Sequence, residues 1–125
     1  MAKILVVDDS PTEVHILSAI LQKAGHSVIT ATNGMEAIEM ARSEKPDLIL
    51  MDVIMPGING FQATRELTHH ADTKNMPVIV VTNKSQQTDR VWGLRQGASD
   101  YLVKPVTPEA LLQSVTNVLE GQSGH

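Results

Sequence analysis

An α/β fold, a single doubly wound sheet of five parallel strands with five helices, is predicted by two features of this 125-residue chain. Short aliphatic runs alternate strictly with helix-forming stretches, and most runs are apolar without a break, as suits strands buried on both faces of a parallel sheet. Four of the runs also stop on polar residues of related chemistry. Ile4-Leu5-Val6-Val7 ends in Asp8-Asp9, and Leu48-Ile49-Leu50-Met51 ends in Asp52. Val78-Ile79-Val80-Val81 ends in Thr82, and Tyr101-Leu102-Val103 ends in Lys104-Pro105. Such alternation implies right-handed crossovers with helices on both faces. In an open sheet of this kind the ligand crevice lies at the carboxyl ends of the strands. Three carboxylates, a hydroxyl and an ammonium are therefore expected to converge at one edge.

The helices follow from caps and stripes. Ser10 can cap, Pro11 suits the first helical position, and Glu13 stands where a capping box needs it. Val14, Leu17, Ile20, Leu21 and Ala24 then form an apolar stripe, closed by Gly25. Residues 27–31 alternate weakly and suit an edge strand. Asn33 caps a second helix with Ala37, Ile38 and Ala41 on one face, and Pro46 precedes the next buried run. Residues 55–60 read as a turn-rich loop, followed by a helix over 61–70 with Phe61, Thr64 and Leu67 inward. After the run that Pro77 opens, a polar helix is expected over 86–96, closed by Gly97. Thr107, Pro108 and Glu109 start a last helix with the stripe Leu111, Leu112, Val115, Val118 and Leu119. The domain is expected over 1–120, with a flexible tail at 121–125.

At this length the chain makes one domain with a core of its own. It holds one Phe, one Tyr and one Trp, so that core must be aliphatic, and the six methionines read as filler. A net charge of −4 argues against a nucleic-acid partner, which would show a basic patch. No stretch approaches the roughly 20 apolar residues that span a bilayer, and no signal peptide fits the start, so no membrane is expected and a cytoplasmic location is. The absence of cysteine excludes disulfides and thiolate metal sites. The five histidines (His15, His26, His69, His70 and His125) show no ligand spacing and read as surface or capping residues.

Asp8, Asp9 and Asp52 would place three negative charges within a few ångströms. A like pair at about 4 Å costs about 4 kcal/mol at an effective dielectric of about 20. A hard divalent cation removes the conflict, and Mg²⁺ fits because it takes one or two carboxylates and binds substrate phosphate as well. Beside such an ion an aspartate can act as nucleophile toward phosphorus. Asp52, alone at its strand end, is the best candidate. Lys104 would offer a compact charge to the phosphoryl oxygens, and Thr82 a hydroxyl. Read alone, the Asp8-Asp9 pair would be no more than a solvated start to a helix; the register with Asp52, Thr82 and Lys104 argues otherwise.

From residue 3 to about residue 119 these motifs resemble the CheY-like receiver domains of two-component response regulators. The resemblance implies a flavodoxin-like sheet of strand order 2-1-3-4-5, an order taken from CheY itself and not read from the residues. It implies Asp52 as phosphoacceptor, Asp9 and Asp52 as metal ligands with the backbone carbonyl of Ile54, and Asp8 acting through water. It implies Lys104 as the phosphate-binding lysine, a cis bond between Lys104 and Pro105, and Thr82 with Tyr101 as the switch pair. Phosphoryl transfer would come from a sensor histidine kinase and would reshape the face of the fourth helix, fifth strand and fifth helix. That face, with Trp92, Arg95, Tyr101 and Val106, would bind a target protein; plain packing is the alternative for Trp92 and Tyr101.

Residues 9–13, 59–65 and 89–93 are most similar to the stand-alone receivers of type IV pilus twitching systems, which implies motility signalling without an attached output domain. A phosphate sink for a shared kinase is the alternative, and a monomer or weak dimer is expected. The chain would catalyse only its own phosphorylation and dephosphorylation, and so would not be an enzyme in the usual sense. Asn83 departs from the small residue usual after the switch threonine. Ile54 and Lys84 stand where the family tunes self-hydrolysis, and apolar Ile54 implies a long-lived phosphoryl group. A haloacid-dehalogenase-like phosphatase would want Asp-x-Asp after the first strand, but Ser10 follows Asp8 at that spacing. A flavodoxin would want a hydroxyl-rich phosphate loop and aromatics around its flavin, and both are missing.

Overall fold

The computed structural model describes residues 1–123. Five strands alternate with five helices: β1 (Lys3–Val7), α1 (Pro11–Lys23), β2 (Ser27–Ala31), α2 (Gly34–Glu44), β3 (Leu48–Met51), α3 (Gly60–His69), β4 (Val78–Thr82), α4 (Gln87–Arg95), β5 (Asp100–Val103) and α5 (Pro108–Ser123). The strands form one sheet in the order β2-β1-β3-β4-β5, with every pair parallel. The weakly patterned β2 lies at an edge, as expected of its half-exposed residues. Among the described residues, no helix is long and apolar enough to cross a membrane.

Two apolar layers explain why the inner strands are apolar at every position. Leu5, Val7, Ile49 and Met51 point to one side, where Ala37, Ile38, Ala41, Ala63 and Leu67 of α2 and α3 cover them. Ile4, Val6, Leu48, Leu50, Ile79 and Val81 point to the other, against Leu17 and Leu21 of α1 and Leu111 and Val115 of α5. Each of these strand residues is at most 1% exposed. Full burial of such a side chain contributes about 1.5–3 kcal/mol, so the two layers are the main stabilising term of the fold.

Ser10 and Asn33 cap α1 and α2 by accepting from the N–H groups of Glu13 (3.3 Å) and Glu36 (2.8 Å). The helix expected from Phe61 starts one residue earlier, because Asn59 and Gln62 close a capping box across the turn. α5 runs on through Gly121 to Ser123, where a flexible tail was expected; positions 124–125 of that tail lie outside the described residues. The methionines divide. Met51 is buried and Met40, Met55 and Met76 pack against the core, but Met1 and Met35 are exposed and fill nothing.

Gly60 has no room for a side chain. A Cβ there would lie 2.1 Å from the carbonyl oxygen of Asp52 and 2.5 Å from Val53 Cα. The start of α3 is thereby closed directly over the exit of β3.

Candidate functional site

The parallel register brings the polar strand ends together. Val7 pairs with Met51, so Asp8 and Asp52 leave the sheet side by side, and the Asp52 N–H donates to Val7 O at 3.0 Å. Thr82 pairs with Val103, and the Lys104 N–H donates to Thr82 O at 2.8 Å. Lys104 therefore emerges beside Thr82 and reaches back across the sheet, and its bond to Pro105 is cis.

Asp8, Asp9 and Asp52 each offer a carboxylate oxygen, and these oxygens lie within 4.8 Å of one another. Asp8 and Asp52 are buried, whereas Asp9 is exposed. The lysine ammonium sits among the acids, with Lys104 Nζ 2.7 Å from Asp8 Oδ2, 3.6 Å from Asp52 Oδ2 and 3.9 Å from Glu13 Oε2. Burial alone would push the Lys104 ammonium down. The bond to Asp8 and the charges of Asp52, Asp8 and Glu13 together outweigh it, so the group lies above its ordinary value and carries full charge at neutral pH.

The acids are not equally committed. Both oxygens of Asp8 are taken by protein donors, Oδ1 by the Ser10 N–H at 2.9 Å and Oδ2 by Lys104. Asp52 Oδ1 accepts only a long bond from the Ile54 N–H at 3.3 Å, leaving it the freer of the two buried carboxylates. Three hard oxygen donors, one facing solvent and one lightly engaged, fit a small divalent cation that keeps part of its water. Ile54 turns its side chain outward, 51% exposed at the rim. Thr82 is buried, with its Oγ1 accepting from the Lys84 N–H at 3.4 Å, and Asn83 beside it is exposed.

Tyr101 differs from the expectation of a residue on the partner face. It is 2% exposed, packed with Val53, Phe61, Val80 and Ala98, and its hydroxyl donates to Lys84 O at 2.9 Å. The space comes from Gly93 in α4, where a Cβ would stand 2.9 Å from Tyr101 Cδ2 and 3.2 Å from Phe61 Cε1. Burial first, then the charges of Asp89 and Asp52, push the phenol up to about 12 against the opposing pull of Arg90. Of the other expected face residues, Trp92 is 51% exposed and Arg95 exposed, whereas Val106 is half-buried and packs against the core. Val91, Leu94 and Val103 add exposed apolar surface on α4 and β5.

Glu13 was missed as a member of the site. The capping box that its spacing suggested is only half made, because the Ser10 N–H that should donate to the Glu13 carboxylate already donates to Asp8. The freed side chain lies toward Lys104. Its signal in the sequence was the acid two residues before the cap, which competes for that N–H.

Residues 4–116 match the sequence profile of the response regulator receiver domain. The chain belongs to this family. It is 60% identical to Protein PilH of Pseudomonas aeruginosa over 121 residues, which are 97% of this chain and 100% of PilH. It is 41% identical to the response regulator PleD of Caulobacter vibrioides over 94% of this chain but only 26% of PleD, a longer protein. The solved structure of chemotaxis protein CheY4 of Vibrio cholerae superposes with a TM-score of 0.88 at 36% identity, covering 94% of this chain and 98% of that one. The receiver fold and the strand order implied by the resemblance thus hold.

Proposed function

We propose that this receiver domain is a switch whose Asp52 accepts a phosphoryl group from a phosphohistidine of a sensor kinase. The observation that carries this reading is the Lys104 ammonium, seated 2.7 Å from Asp8 and 3.6 Å from Asp52 where three carboxylates meet. In the step, an Asp52 carboxylate oxygen attacks phosphorus and the P–N bond breaks, its electron pair returning to the ring; the donor histidine, whose other ring nitrogen carries a proton, leaves as neutral imidazole. Lys104 turns from the carboxylates to the transferred oxygens, and Thr82 donates its hydroxyl to one of them. Asp9 and Asp52, with the Ile54 carbonyl and with Asp8 through water, are the groups that would hold Mg²⁺, which supplies neutralising charge. A phosphorylated aspartate is the product, so the chain is a signalling switch and not an enzyme of the usual kind.

The added charge and acceptor oxygens would draw Thr82 toward them and bias a two-state equilibrium at α4, β5 and α5. A bias of about 1.4 kcal/mol changes the population ratio tenfold. The exposed Trp92, beside Arg95 and an apolar margin, supports an output by contact with a target protein, which favours a switch over a phosphate sink. Likeness to PilH along its whole length supports a role in motility signalling of the type IV pilus kind, in the cytoplasm. The test is acetyl phosphate with Mg²⁺ on wild type and Asp52→Asn, read by intact mass. A phosphoryl adduct on the wild type alone is the expected outcome, and an adduct on both would displace Asp52 from its role.

A further inference from the structure

We infer that Glu13 is a positioning residue that holds the Lys104 ammonium back from an arriving phosphoryl group and thereby slows loading of Asp52. This rests on the reading of Asp52 as the acceptor. Lys104 faces three carboxylates at graded distances, 2.7 Å to Asp8, 3.6 Å to Asp52 and 3.9 Å to Glu13. The first two belong to the floor of the site and are 2% and 8% exposed, whereas the Glu13 side chain is 34% exposed and stands at the rim. A negative donor that approaches Lys104 meets the charge of Glu13 3.9 Å from the ammonium. It must also win the ammonium from the carboxylates already holding it, and Glu13 is the one holder that neither accepts phosphate nor accepts a hydrogen bond from the Ser10 N–H.

Among the described residues, the Glu13 side chain makes no other hydrogen bond or ion pair that its loss would expose. Ser10 caps α1 through the backbone N–H of Glu13, at 3.3 Å, and this bond survives any change of side chain. The reciprocal half of the box is made by Asp8 instead. Glu13→Gln therefore removes charge while keeping shape, cap and fold.

The experiment follows adduct formation by intact mass in wild type, Glu13→Gln and Glu13→Asp, with acetyl phosphate and saturating Mg²⁺. Loading of Glu13→Gln is expected to be about two- to fivefold faster, the size of a partly exposed charge interaction. Glu13→Asp, which keeps the charge, is expected to load at nearly the wild-type rate. The advantage of Glu13→Gln should shrink as potassium chloride is added, because the charge it removes is open to screening. Equal or slower loading of Glu13→Gln overturns the inference and leaves Asp52 as acceptor, and so does an advantage that salt does not diminish. No adduct on any of the three proteins overturns the reading of Asp52 and the inference with it.

Discussion

The phenol of Tyr101 is held neutral by its seat, with its hydroxyl bonded to Lys84 O at 2.9 Å and its ring closed in by Phe61, Val80 and Ala98. Because this is the only tyrosine, its ionisation can be followed by phenolate absorbance without ambiguity. The expected midpoint is about 12 in the native protein, against 10.0 once the chain is unfolded in urea. A group whose folded value is raised contributes its full stability below the unfolded value and loses it as pH climbs through the folded one. Stability should therefore hold up to about pH 10 and fall from there to about pH 12, as checked by urea unfolding along that range. A native midpoint near the ordinary value would place the ring outside. The resemblance marked Tyr101 as a switch residue and set it on the partner face, with plain packing as the alternative. What hid the true position was Gly93, whose meaning is steric and shows only when α4 is laid on the sheet.

Among the helices, α4 has the weakest hold on the core. Gly93 is its only buried residue, and Val91, Trp92 and Leu94 are exposed. It is tied down by the contact of Gly93 with Tyr101 and by Arg90 Nη1, which donates to Tyr101 O at 3.1 Å. Gly93→Ala sets two effects against each other. Alanine favours a helix interior by about 1 kcal/mol, while an unaccommodated methyl in a packed core costs about 1–3 kcal/mol. The second should win, with a net loss of up to about 2 kcal/mol in urea unfolding and the Tyr101 ring driven outward. Its phenol would then titrate nearer the ordinary value; a midpoint unchanged from wild type would refute this steric account. Element order and type were legible from caps, prolines and unbroken aliphatic runs. The start of α3 was not, since Asn59 lay in a stretch that read as turn and its pairing with Gln62 in a capping box was not read. The order of the strands was not in the residues either, because all the inner runs are equally apolar and nothing local says which neighbours which.

Across the molecule, the acid cluster was legible because a parallel sheet sends the carboxyl end of every strand to the same edge. Once four runs ended on Asp, Asp, Thr and Lys, a shared edge followed from topology, and their meeting needed only that the four strands be neighbours, as they are. Glu13 escaped because its local and its distant partner could not be ranked without coordinates. The two ends of the switch should also be separable. Trp92→Ala lies outside the acid cluster, so it should load with phosphate at the wild-type rate while weakening capture of the target by more than tenfold, as measured by calorimetric titration once a target is in hand. Unaltered affinity would reduce Trp92 to a cover for aliphatic surface. The bond from Lys104 to Asp8 joins positions 96 apart, almost the full span of the chain. A nascent polypeptide leaving the ribosome thus carries its paired acids long before the ammonium that offsets them has been synthesised. The charge balance of the pocket is therefore completed last, when position 104 joins the acids made long before it.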